Sequence, residues 1–144
     1  MKFRCGFVTN SSSSSFILGF KSIDEIENLF PILPGFIERK DRESFIRQVK
    51  DNIIDKQGIL TEFYDYWFDQ LYYCGPYGSQ EYSDDEIMEI QQNTGEMLKK
   101  LESKMDGLSV FSVVSYGDDT NFGSRMENDV LPNFPYTLAC LDYH

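Results

Sequence analysis

One histidine, His144, stands at the last position of this 144-residue chain, and no Gly-x-Ser-x-Gly segment occurs. A serine or cysteine nucleophile needs a neighbouring base, so Ser-His and Cys-His chemistry has nothing to build on. His144 beside Asp142 reads as a chain end, where order is usually lost, rather than as a catalytic dyad. Cys5, Cys74 and Cys140 form no CxxC pair, which argues against a disulfide framework or a zinc site. All three are expected as buried thiols. No glycine-rich phosphate loop with its lysine is present. No apolar run approaches membrane-spanning length, and serines stand where a signal peptide would carry its apolar core. The protein is therefore expected in the cytoplasm, where the formal sequon Asn10-Ser11-Ser12 has no meaning. It is read as non-enzymatic, with no cofactor and no metal.

Positive charge is also scarce: 13 Lys and Arg against 24 Asp and Glu, a formal net charge of −11. The imbalance is local. Residues 1–56 hold nine basic and eight acidic side chains, whereas residues 57–144 hold four and sixteen. An acidic surface repels nucleic acid and anionic membrane, which excludes direct binding to either and favours a basic protein partner.

Apolar material, by contrast, is plentiful. A hydrophobic fraction of 41% and an aromatic fraction of 15% are too high for a disordered chain. The length suits one domain, 1–144, and no Pro/Ser-rich linker divides it. The most unusual stretch is Ser11-Ser12-Ser13-Ser14-Ser15, set between Phe7-Val8 and Phe16-Ile17-Leu18. Apolar residues on both sides have area to bury, so the run is expected as an ordered loop, with extended segments over 2–9 and 16–20.

Along 22–106 the pattern is helical. Ser22-Ile23-Asp24-Glu25 has the form of a capping box, followed by Ile26, Leu29 and Phe30 and a stop at Pro31. Asp41 is the expected N-cap of a helix carrying Phe45, Ile46, Val49 and Ile53. Gly58 interrupts, and Phe63, Tyr64, Trp67, Phe68, Leu71 and Tyr72 then form a helical stripe read as core, closed by Cys74-Gly75-Pro76. Ser83-Asp84-Asp85-Glu86 is a second capping box, opening a long helix with a weak point at Gly95 and a stop at Gly107. Within 108–144, strands are expected over 108–116 and 136–143, with one or two helical turns from Ser124 to Glu127. This order predicts an α+β fold, a small mainly antiparallel sheet uniting the N-terminal strand with two C-terminal strands, packed against about four helices.

The first sixteen residues, Met1-Lys2-Phe3-Arg4-Cys5-Gly6-Phe7-Val8-Thr9-Asn10-Ser11-Ser12-Ser13-Ser14-Ser15-Phe16, resemble a leader shared by small uncharacterised proteins of tailed bacteriophages and bacteria, of pattern M-K-x-R-x-G-F-V-[ST]-N-S-S-S-S-S-F. The resemblance covers about the first seventeen residues and brings no activity. It implies an origin in a phage or a prophage-bearing bacterium and a role among accessory proteins that act on the host.

Two sets of site residues follow. Asn10, Ser11, Ser12, Ser13, Ser14 and Ser15 present amides and hydroxyls for an anion, or hydroxyls for modification; the competing reading is a loop whose hydroxyls satisfy its own backbone. Tyr72, Tyr73, Tyr77 and Tyr82, with Asp84, Asp85, Glu86 and Glu89, are the candidate protein-binding surface, because aromatic residues are favoured at interfaces. The row that continues to Glu96 imitates a phosphate backbone until Lys99, Lys100 and Lys104 interrupt it, so a solvated helix face is the plainer reading. Asp118, Asp119, Glu127 and Asp129 have oxygens for a hard cation but not the EF-hand spacing. Glu62, Asp65 and Asp69 share a helix face that reads as solvated. The leading expectation is an accessory protein that binds another protein, one that itself holds nucleic acid being a natural target. The alternative is a nucleotide or phosphate module built on Asn10–Ser15.

Overall fold

The computed structural model describes residues 14–29, 39–74, 82–117 and 120–142, without the side chains of Tyr73, Cys74 and Asp142. In chain order they form β1 (Ser14–Phe20), α1 (Ile23–Glu27), α2 (Arg39–Asp51), β2 (Ile53–Ile54), α3 (Lys56–Cys74), α4 (Asp84–Met105), β3 (Val110–Tyr116) and α5 (Asn121–Arg125). One π-helical turn (Met126–Val130), one 3₁₀ turn (Leu131–Asn133) and β4 (Thr137–Asp142) complete them. The sheet runs β2-β3-β1-β4 with every pairing antiparallel. The N-terminal strand therefore lies between the two C-terminal ones, and the fold is the expected small α+β arrangement.

All seven residues of β1 are buried, and their alternation explains how. Successive side chains of a strand point to opposite faces. Phe16, Leu18 and Phe20 enter one core with Ile26 of α1, Phe45 and Val49 of α2, and Met126, Val130, Leu131 and Phe134. Ile17 enters a second core with Ile59, Leu60, Phe63 and Tyr66 of α3, Leu101 and Met105 of α4, Phe111 and Leu141. Helices thus cover both faces of the sheet, and each fully buried Phe, Leu or Ile contributes roughly 1.5–3 kcal/mol. The β1–β4 register shifts between Ile17 and Leu18, a bulge that places Leu138 against Gly19. A Cβ at Gly19 would lie 2.7 Å from Cδ1 of both Leu108 and Leu138, so glycine leaves these two leucines their space.

Local signals set the helix ends. Asp55 Oδ1 accepts the Gly58 N–H at 2.7 Å and starts α3. At α4 the capping box is complete: Glu86 N–H donates to Ser83 Oγ at 3.2 Å, and Ser83 N–H donates to Glu86 Oε1 at 3.0 Å. Gly107, at φ 82°, follows the last turn of α4 in the left-handed region that glycine adopts without strain.

Several expectations are corrected. Ser14 and Ser15 are strand, not loop, because β3 and β4 pair with their backbones on both sides; Ser11–Ser13, the segment 2–9 and the stop at Pro31 lie outside the described residues. Ser22 makes no side-chain cap to α1, whose last helical residue is Glu27, and Glu25 accepts from the Lys21 N–H, one residue before the expected partner. Asp41 sits in the first turn of α2 rather than at its cap. Ile53 leaves that helix for β2, a two-residue strand pairing with β3. Gly58 lies inside α3 instead of interrupting it. Cys140 is exposed, not buried, because it sits on β4 at the edge of the sheet.

Candidate functional site

The α3–α4 hairpin supplies the second core only from part of its length. Its contributors are Ile54–Trp67 on the α3 side and Met97–Met105 on α4. On another face of α3, and continuing past Trp67, three further aromatic side chains join neither core among the described residues. Tyr64, Phe68 and Tyr72 recur every four residues and therefore share one helix face. Their rings stack in sequence, Tyr64 on Phe68 with centroids 6.1 Å apart and Phe68 on Tyr72 at 5.8 Å. Tyr82, just before α4, adds a fourth ring 4.6 Å from Tyr72, and its hydroxyl donates to the Tyr72 carbonyl. All four residues are half-buried, a continuous aromatic row that keeps part of its surface in solvent.

Charge borders this row. Asp65 and Asp69 each follow a ring of the row by one residue, which turns them about 100° further round α3. Asp84, Asp85, Glu86 and Glu89 occupy the first turns of α4 after Tyr82, all but Glu86 exposed. They sit at the positive end of a 22-residue helix, which favours their charge. Met88, 64% exposed, adds an apolar side chain among them. From Gln57 to Leu98 the chain carries nine Asp or Glu and no Lys, Arg or His.

Of the expected interface residues, the structure brings together Tyr72, Tyr82, Asp84, Asp85, Glu86 and Glu89. Tyr73 belongs to α3 by its backbone, and Tyr77 lies outside the described residues. The stripe read as core divides: Phe63 is buried, while Tyr64 and Phe68 belong to the half-buried row. These two were missed as site residues, and the absence of any basic side chain over 57–98 was the signal that marks their surroundings. Trp67 packs between the two groups, edge-on to Phe63 and Tyr66, and its indole N–H is buried with no acceptor among the described residues.

The serine site is placed differently. Asn10–Ser13 lie outside the described residues. Ser14 and Ser15 are 2% and 7% exposed, and both hydroxyls are engaged: Ser14 Oγ donates to Glu127 Oε2 at 2.9 Å, and Ser15 Oγ shares a hydrogen bond of 2.7 Å with Ser115 Oγ. Neither hydroxyl faces a ligand or a modifying enzyme. Among the cation candidates, Glu127 turns inward to Ser14, Asp129 is exposed, and Asp118 and Asp119 lie outside the described residues. No three His, Cys, Asp or Glu side chains converge among the described residues, and no helix among them is long and apolar enough to cross a membrane.

Comparison with protein-family models, with curated proteins and with solved structures gives no match.

Proposed function

We propose that the outer part of the α3–α4 hairpin is a docking surface for a basic protein, and that binding this partner is what the molecule does. The observation that carries the reading is the half-buried row Tyr64–Phe68–Tyr72–Tyr82, partly open to solvent within a stretch of nine carboxylates and no cation. Stacked aromatic rings offer large rigid contact area at little entropic cost and are the commonest anchors of binding energy. Carboxylates around them steer a positively charged partner and select its orientation. A second copy of the chain would bring the same negative charge to the contact, so the occupant is a different protein with Lys or Arg around an apolar strip. With the phage-like leader, this surface suits an accessory protein in a bacterial cytoplasm that occupies the nucleic-acid-binding face of a host protein.

Photo-crosslinking in bacteria tests this, with a benzophenone side chain placed at Phe68 and, as a control, at Asn128 on the far side of the sheet. The expected result is one basic protein captured from Phe68 and not from Asn128, released by the paired substitution Tyr64→Ser and Tyr72→Ser, and prevented by this chain from shifting a DNA or RNA fragment on a gel. Capture of an acidic protein or of a second copy, or equal capture from both positions, would overturn the reading.

A further inference from the structure

Residues four apart line up as a ridge on a helix surface, and neighbouring ridges enclose a groove. Tyr64, Phe68 and Tyr72 make one such ridge on α3, and Asp65 and Asp69 make the next. We infer that the groove between them reads arginine: the partner docks through an α-helix that carries two arginines four residues apart. This specifies the chemistry of the occupant and rests on the docking role proposed for the hairpin.

Helical residues three apart are neighbours, with Cβ atoms roughly 5–6 Å from each other. Asp65 therefore stands beside Phe68, and Asp69 beside Tyr72. The same couple of carboxylate and aromatic ring recurs after four residues, roughly 6 Å further along the axis. The rings keep that interval, with centroids 6.1 and 5.8 Å apart, and successive planes differ by only 16° and 19°. Each couple thus presents its ring in nearly the same orientation. Asp65 is exposed and Asp69 half-buried, and neither carboxylate forms an ion pair or hydrogen bond among the described residues. Tyr82 closes the Tyr72 end of the groove with a ring 4.6 Å away.

Arginine suits such a couple better than lysine. A guanidinium is planar, stacks on an aromatic ring, donates two parallel N–H groups to a carboxylate and is weakly hydrated. One guanidinium lying against Phe68 donates to Asp65, and a second lying against Tyr72 donates to Asp69. A lysine ammonium is a compact, strongly hydrated point charge, so it gains the carboxylate but little from the ring. Serving both couples requires two arginines roughly 6 Å apart on one side of the partner. Positions i and i+4 of a helix meet that spacing. A helix crossing α3 at roughly −50° lays its own i, i+4 ridge along the groove, the commonest way in which two helices pack.

The test is an amide-resonance NMR titration of the full chain with three acetylated, amidated, alanine-rich helical peptides. One carries Arg at i and i+4, the second Lys at the same two positions, and the third Arg at i and i+2, which lie on different sides of a helix. The expected result is saturable shifts centred on 64–73, with the first peptide binding about fivefold or more tighter than either of the others. Phe68→Leu combined with Tyr72→Leu keeps apolar bulk but removes two rings. It should abolish the preference for arginine and leave lysine binding within about twofold, whereas a general disturbance of the helix would weaken both peptides alike. Equal affinity for the Arg and Lys peptides, or for the two Arg spacings, would overturn the inference and leave the docking role standing. No saturable shift with any peptide would also overturn it, and photo-crosslinking from Phe68 would then decide the docking role by itself.

Discussion

Ser14 Oγ donates to Glu127 Oε2 at 2.9 Å across 113 positions of sequence, with both residues buried. The bond joins the first residue of the central strand to the only π-helical turn among the described residues. A π-turn widens the helix by one residue per hydrogen-bonded ring and is usually retained only where a side chain needs that displacement. Here Met126 and Val130 stay in the core while Glu127, from the same turn, is directed at the strand start.

Breaking this pair should be costly because one partner is left buried. Ser14→Ala is expected to destabilise by about 1.5–3 kcal/mol, the range for a hydrogen bond to a carboxylate. Glu127→Gln should cost less, since the amide oxygen still accepts. A double-mutant cycle by urea unfolding should give a coupling of about 1 kcal/mol or more; additivity within about 0.3 kcal/mol would mean that the two side chains do not interact.

Gly123 is expected to tolerate no side chain. A Cβ there would lie 2.3 Å from the Gly117 carbonyl oxygen, a backbone atom that cannot swing aside, and 3.1 Å from Thr120 Oγ1. Gly123→Ala should cost about 1–3 kcal/mol by forced displacement of the β3–α5 corner, lowering the melting temperature by roughly 4 °C per kcal/mol. At Gly19 the obstructing atoms are leucine side-chain ends, so the matching alanine variant should lose less. Differential scanning calorimetry of the pair decides; equal losses would show that the corner yields.

What was legible in the sequence was local. Ser83-Asp84-Asp85-Glu86 caps α4 as its spacing demanded, and Gly107 ends the helix, because both depend on atoms within four residues. The sheet arrangement was legible from the apolar runs at each end of the chain. Ser14 and Ser15 were not, since a serine run carries the same polarity whether water or a distant Glu127 and Ser115 satisfies it. Ile53 continued a helical pattern, and only pairing with β3 makes it and Ile54 a strand. The period of Tyr64, Phe68 and Tyr72 identified an apolar face but not what covers it, so these rings read as core until the position of the sheet left them outside.

Tyr116 should make stability fall in alkaline solution. Its phenol is raised by burial and then by the nearby Asp41 carboxylate, from an unfolded value of 10.0. Below pH 10 both states hold the proton and the contribution is complete. Above it the unfolded chain releases the proton first, so stability is lost progressively as pH rises from 10 toward the folded value. Urea midpoints of the wild type should drop between pH 9.5 and 11.5, a range roughly bracketing an ordinary tyrosine, with a shallower slope in Tyr116→Phe. Parallel slopes would contradict the assignment.

The cap of α4 should matter to the docking surface as well as to stability. Ser83 holds the first turn that displays Asp84 and Asp85, and it directly follows Tyr82, whose ring lies against Tyr72. Ser83→Ala removes the acceptor for the Glu86 N–H, at a cost of about 1 kcal/mol. A loss of that size frays one helix end without unfolding the molecule, so the cores should be unaffected. Hydrogen exchange should therefore speed up over 84–89 and leave 98–105 unchanged. Partner capture from Phe68 should weaken in the same variant, because the acidic turn and the fourth ring are no longer held beside the row. Ser83→Asp keeps an acceptor at the cap and should restore both protection and capture; restored protection without restored capture would place the serine hydroxyl itself in the contact.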